Sequence, residues 1–133
     1  EEALRRAPGV VLAAVYGVPD DQAGDQVMAG LVLGGGDAFD PDAFARWLDA
    51  QDAIGPKWRP RYVRILGDPP TTGTNKIVKR TLVQQKFRHD LVAGDALYVR
   101  SRGDDAYRPF TDSDERALHA SFVEYGRERF WDL

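Results

Sequence analysis

Lys76 stands at the end of the stretch PPTTGTNKIVKR, residues 69–80, where its type and place could do chemistry. A lysine just before a helix opposes the helix dipole, which favours anions there and costs a cation about 0.3–1 kcal/mol. An anionic substrate reverses that sign, because helix amides and an ammonium can share one phosphate or carboxylate oxygen. Thr71, Thr72 and Thr74 add hydroxyl donors, while Gly73 and Asn75 tolerate left-handed backbone and let the loop fold back. The residues therefore point to an anion-handling lysine.

Other chemistries find less support. A phosphate-binding P-loop needs GxxxxGK followed by Ser or Thr, whereas here five residues separate Gly67 from Gly73 and Ile77 follows Lys76. GGG at 34–36 runs into Asp37 and Ala38 and makes no GxGxxG, and no GxSxG elbow is present. The chain has no cysteine, which excludes disulfides, thiol catalysis and cysteine-bound zinc. Its two histidines, His89 and His119, have no metal-type spacing, so no metal site is expected. His89 is expected to cap the end of a basic helix, and His119 to be a partly exposed helical residue. Trp47 is read as core, while Trp58 in PKWRP, between two prolines and two cations, could line a groove.

Net charge is −3, but Lys57 to Arg88 holds nine basic residues against one acid, Asp68, a local charge of +8 that leaves −11 elsewhere. An acidic chain with so concentrated a basic window points it at something anionic. One reading is a binding module that meets nucleic acid through Lys57, Arg59, Arg61, Lys79, Arg80, Lys86 and Arg88, with Trp58 stacking. Another is a patch that docks an acidic protein surface. Overall acidity and the lack of aromatics among the basic helical residues count against nucleic acid.

These residues need elements to hold them. At 133 residues, 43% hydrophobic and 29% charged, the chain is one soluble-type domain. No apolar run reaches the ~20 residues of a membrane span, and no signal peptide is visible. The chain opens EEALRR without Met, which reads as a fragment or processed piece. EEALRR suggests a helix stopped by Pro8 and Gly9. VVLAAVYGVP and QVMAGLVL flank the turn cluster DDQAGD as an antiparallel hairpin. Asp40 caps and Pro41 begins an amphipathic helix to about Asp52, with Ala43, Phe44, Trp47 and Leu48 on its apolar face. RYVRIL alternates as a half-buried strand, with Tyr62, Ile65 and Leu66 inward and Arg61 and Arg64 outward. IVKRTLVQQKFR forms a helix with a basic face. A turn-rich tail follows, in which Leu97 to Val99 could make a short strand and Thr111 or Ser113 caps a last helix. The expected fold is α+β: a small three-stranded sheet, the hairpin plus one further strand, packed with helices, plus a C-terminal tail with one helix.

PTTGTNKIVKRTL resembles the lysine loop near the C-terminus of adenylate-forming acyl-CoA synthetases, of general form P-x-T-x-T-G-K-I-x-[RK]-x-x-L. EEALRRAPGVVLAAVYGVPDDQAGDQVMAGLVL is similar to that family's helix and hairpin, and LDAQDAIGPKWRPRYVRILGDPPTTGTNK to the stretch leading to the lysine. Downstream, ALYVR and AYRPFT resemble the tail of long-chain and very-long-chain fatty acyl-CoA synthetases of the fatty acid transport branch. The likeness covers residues 1–88 strongly and 89–133 weakly. Most members carry Gly directly before the lysine where this chain has Asn75, a T-G-T-x-K form that resembles the transport branch.

The resemblance implies a mobile C-terminal lid at 1–88 and an extension at 89–133 packing on the same domain. It implies that Lys76 assists ATP-dependent adenylation of a fatty acid, with magnesium present, and that the domain then rotates so that coenzyme A can attack the acyl-adenylate. Thr72, Gly73, Thr74, Asn75, Lys57, Trp58 and Arg59 would line the substrate and nucleotide side. The partner implied is an N-terminal adenylation domain of the same protein, with no nucleic acid and no bound cofactor for this domain alone. The full protein would be cytoplasmic and could associate peripherally with a membrane. In the resembled family the hinge and the glycine loop of the second half-reaction lie upstream of EEALRR, so no pantetheine contact is assigned.

Overall fold

The computed structural model describes residues 3–34, 38–51, 54–55, 58–67, 77–92, 94–101 and 103–132. The hairpin forms as its sequence dictates: β1 (Val10–Pro19) pairs antiparallel with β2 (Asp25–Leu33), from Pro19↔Asp25 back to Val10↔Leu33 with a bulge near Val10. The turn closes because Asp20 Oδ2 accepts from the amides of Gln22 and Ala23 at 2.9 and 3.1 Å, and Gly24 takes the left-handed φ of 64°. Burial would raise the Asp20 carboxyl, but these amides, Gln26 and the Arg61 charge outweigh it and hold it below the usual carboxylate range.

Helix α1 (Pro41–Asp49) begins as expected, with the Asp40 side chain accepting from Ala43 N at 3.0 Å and Pro in the first turn. It ends at Asp49, short of the expected Asp52. Phe44, Ala45 and Leu48 lie buried on one face of the sheet, and Trp47 packs half-buried on Phe44 with ring centroids 6.2 Å apart. The opening EEALRR forms a single 3-10 turn, Leu4–Arg6, and not an α-helix end; Leu4 alone of the three is buried.

After α1 the chain returns as β3 (Tyr62–Ile65), parallel to β2. Here the sequence expectation needs correction. Among the described residues the sheet has five strands and not three, in the order β1-β2-β3-β4-β5, because the tail supplies β4 (Ala96–Val99), where a short strand at Leu97 to Val99 was expected, antiparallel to β3, and β5 (Arg108–Pro109) antiparallel to β4. β3 is thereby an interior strand, with Tyr62, Val63 and Arg64 all buried. The class, α+β, is as expected.

Helix α2 (Lys79–Gln85) is shorter than its periodicity suggested. Lys86 takes φ 51° and ψ −130°, a turn that ends the helix and drives Phe87 into the core, fully buried. Lys86 is itself 2% exposed, so it is not part of a solvated basic helix face. The last helix, α3 (Asp112–Glu124), has the expected Thr111 cap: Thr111 Oγ1 accepts from Asp114 N at 3.1 Å and the Asp114 carboxylate accepts from Thr111 N at 2.8 Å. Those hydrogen bonds, led by the one from the Thr111 amide, hold the Asp114 carboxyl below its ordinary range.

Both sheet faces are covered. α1 and the opening turn lie on one, with Leu4, Phe44 and Leu48 against Leu31 and Val63. On the other, Leu82, Phe87, Phe122 and Trp131 pack against Tyr16, Met28 and Tyr62. Residues from both sides of position 88 thus share one core. No helix among the described residues is long and apolar enough to cross a membrane.

Candidate functional site

The lysine loop is framed by described residues but does not belong to them. Lys76, Thr71, Thr72, Gly73, Thr74, Asn75 and Lys57 lie outside the described residues. The frame begins at Leu66, whose amide donates to Leu31 O at 2.8 Å as the last tie of β3 to β2. Gly67 follows, exposed, and the chain re-enters at half-buried Ile77 and Val78 before α2.

Between these ends sits a buried polar group that sequence reading placed wrongly. Arg64, expected on the solvent side of an alternating strand, is 4% exposed. Its Nε donates to Asp95 Oδ2 at 2.9 Å, Nη1 to Gln85 Oε1 at 2.5 Å, and Nη2 lies 3.5 Å from Val92 O. Asp95 Oδ1 in turn accepts from Gly67 N at 3.1 Å. The difference lies in what covers this face of the sheet: Gln85 at the end of α2, Val92 and Asp95 lie over Arg64, and a buried guanidinium must find partners. Register puts Gly30 and Leu97 beside Arg64 on the neighbouring strands. A Cβ on Gly30 would stand 3.0 Å from Leu66 Cδ1 and 3.4 Å from Leu82 Cδ1, so glycine there lets α2 pack close to the sheet.

Of the expected lining residues, Trp58 is 62% exposed, and Arg59 is turned to Asp49 at 3.4 Å. Asp49 also receives both terminal nitrogens of Arg100 at 2.9 Å each. Those hydrogen bonds first, then the charges of Arg100 and Arg59, outweigh burial and hold the Asp49 carboxyl below its ordinary range. Other arginines of the basic window are likewise answered from within: Arg61 by Asp20 at 3.6 Å, Arg64 by Asp95, and Arg88 by Asp90 at 3.1 Å and Asp132 at 3.0 Å. Four of the window's nine basic residues are thus paired with carboxylates of the fold. Lys79 and Arg80, at the start of α2, stand exposed.

His89 does not cap a helix, which ended at Gln85. Its ring stacks on Phe110 at 5.6 Å, with Nε2 2.8 Å from Phe110 O and Nδ1 2.5 Å from Glu115 Oε1. A carbonyl only accepts, so Nε2 carries a proton. The His89 amide also donates to Glu115 Oε1 at 2.7 Å, which ties this turn to the first turns of α3. With Asp112 Oδ1 3.3 Å from Nδ1, His89, Asp112 and Glu115 form the one His/acid trio with metal-like spacing among the described residues. Its Nδ1 lies at hydrogen-bond distance from Glu115, and its function here is to join segments. His119 stacks on Trp131 at 4.5 Å, half-buried.

On the α1 side, Pro8, Gly9, Phe39, Asp40 and Phe44 line an open groove of about 300 Å³. Its one carboxylate, Asp40, is engaged as the cap of α1, so the groove has no catalytic group. Asp95, Gln85 and the buried state of Arg64 were missed in the sequence. No spacing rule marks an aspartate 31 residues downstream as the partner of a strand arginine.

The family model described as AMP-binding enzyme C-terminal domain matches residues 1–76. Steroid-22-oyl-CoA synthetase of Rhodococcus jostii (strain RHA1) is 44% identical over 131 residues, 98% of this chain and 23% of that protein. Medium/long-chain-fatty-acid–CoA ligase FadD17 of Mycobacterium tuberculosis (strain ATCC 25618 / H37Rv) is 48% identical over 82 residues, 62% of this chain and 16% of the relative. Among solved structures, apo MatB from Rhodopseudomonas palustris superposes with a TM-score of 0.56 at 29% identity, covering 64% of this chain and 16% of that one. The Brucella canis acyl-CoA synthetase gives 0.53 at 32% identity, covering 62% and 15%. The chain spans less than a quarter of the length of these relatives.

Proposed function

Because this chain belongs to the family of AMP-binding enzyme C-terminal domains, we propose that it is the lid of an acyl-CoA ligase whose Lys76 assists adenylation of an apolar carboxylic acid. The observation that carries the reading is the family match itself, which runs through residue 76 and so includes the lysine loop. The relatives named for steroid and fatty-acid substrates suggest the substrate class, a carboxylate on a large apolar skeleton. The ATP and acyl pockets are assigned to a larger N-terminal domain of the same polypeptide, and a cytoplasmic location goes with this reading.

The chemistry asks for a cation. A carboxylate oxygen bonds to the α-phosphorus of ATP, the bond to pyrophosphate breaks, and negative charge gathers on the phosphorus oxygens. An ammonium at ~4 Å in a partly shielded site supplies about 4 kcal/mol of raw attraction at an effective dielectric of ~20. In the second half-reaction the domain rotates, Lys76 withdraws, the sulfur of coenzyme A attacks the acyl carbonyl and AMP leaves. Magnesium prefers oxygen ligands, and the His89, Asp112 and Glu115 trio has its ring nitrogen at 2.5 Å from Glu115, so the trio does not fit that ion. No step here runs through it.

The test uses the full-length protein. Lys76→Ala is expected to lower acyl-adenylate formation, read by pyrophosphate exchange, about 10²–10³-fold. Thioester formation from supplied acyl-adenylate should persist. Equal loss in both half-reactions would sink the assignment.

A further inference from the structure

We propose that Arg64, Asp95 and Gln85 form a brace that sets both ends of the lysine loop, making them positioning residues for the adenylation half-reaction and not for thioester formation. The inference rests on the reading of Lys76 above and names what holds that lysine in place.

The bonds divide in a way that a simple core ion pair does not require. Asp95 uses one oxygen on Arg64 and the other on the amide of Gly67, the last described residue before the loop. The carboxylate lies close against that backbone: a Cβ on Gly67 would stand 3.2 Å from Asp95 Oδ1. Arg64 turns a second nitrogen to Gln85, in the last turn of the helix that follows the loop. One guanidinium therefore references where the chain leaves the sheet and where α2 sits once it returns. Lys76 immediately precedes Ile77 in the sequence, and α2 begins two residues later at Lys79. Leu82, fully buried, fixes the radial position of α2, and the Gln85 bond opposes sliding along its axis.

A buried planar guanidinium suits this task because its donors diverge in fixed directions and tie three segments at known angles. Asp95 comes from the turn before β4, so the tail acts on the loop's geometry although it contributes no residue to the loop. Misplacing a reacting group by about 1 Å costs up to about 10²-fold in rate. That sets the size of the effect.

The experiment compares three variants of the full-length ligase in both half-reactions. Asp95→Asn keeps an oxygen for Gly67 N but turns an amide toward Arg64 where a charge stood. Gln85→Met removes the Arg64 Nη1 acceptor at similar volume. Lys76→Ala runs alongside. The brace predicts an adenylation rate lowered about 10–100-fold in Asp95→Asn and Gln85→Met. Thioester formation from supplied acyl-adenylate should stay near the parent rate. A parallel fall in both half-reactions, or no fall in either, overturns the brace. If Asp95→Asn does not fold, the same split in Gln85→Met decides alone. Adenylation unmoved by Lys76→Ala overturns the underlying reading, whereas loss in Lys76→Ala with normal brace variants overturns the brace only.

Discussion

Trp131 packs its indole 5.4 Å from the ring of Phe87, so the end of the described chain lies against the turn that closes α2. Phe122 meets the same indole edge-on at 5.3 Å and is fully buried. The tail therefore completes the core. Trp131→Ala and Phe122→Ala are each expected to cost about 3–5 kcal/mol of stability. Urea denaturation of the isolated domain measures this, and losses below about 1 kcal/mol, the range of ordinary surface changes, would show the tail to be an independent appendage.

Lys86 is a lysine in a backbone conformation suited to glycine. At φ 51° and ψ −130° its Cβ is strained, at a cost of about 1–3 kcal/mol. Burial lowers the pKa of its ammonium, and the neighbouring Arg88 lowers it further. Lys86→Gly relieves the strain and gives up the buried stem, and the expected net is a gain of about 1 kcal/mol. A raised urea midpoint at constant m-value is the readout; a lowered one refutes it.

Asp49 carries a pH signature. Its carboxyl is depressed in the folded state by the Arg100 hydrogen bonds, so its stabilisation is present above the unfolded value of about 3.9 and is lost as pH falls through the folded one. The pair is partly exposed, which limits it to about 0.2–1 kcal/mol. Asp49→Asn is expected to lower Tm at neutral pH, with the gap to the parent closing as pH drops below about 4. A gap that widens in acid contradicts the assignment.

Arg59, Arg61, Arg64 and Arg88 meet carboxylates of the same chain, which lowers what the basic window offers a polyanion. The domain is expected to leave random-sequence DNA unshifted in a gel at physiological salt and protein below about 10⁻⁶ M. Salt-sensitive retention under those conditions would favour the nucleic-acid reading.

The hairpin, α1 and α3 were legible because each is signalled locally. Asp20 and Gly24 make the turn, Asp40 and Pro41 start a helix, and the Thr111–Asp114 box starts another. The lysine loop, which lies outside the described residues, is proposed as chemistry on the same kind of local signal: residue types and spacing within a dozen positions. Helix α2 was overread because the i, i+4 pattern continues through Phe87, while the burial of Phe87 in a shared core favours breaking the helix at Lys86.

Long-range pairing was beyond the reach of local pattern. The short strand expected at Leu97 to Val99 is present as Ala96–Val99, but no local pattern tells that it pairs with β3, nor that Gln85, Val92 and Asp95 come to lie over Arg64 and bury it. Arg64 then needs partners, and Asp95 and Gln85 become those partners through contacts 31 and 21 residues apart. The sequence alone determined which turns and caps bound the elements, and it singles out Lys76 as the residue proposed for the chemistry, since both are short-range signals. Tertiary structure decided which charges are paired inside the fold and that Arg64 is joined to Asp95 and Gln85, because burial is a property of the assembled sheet.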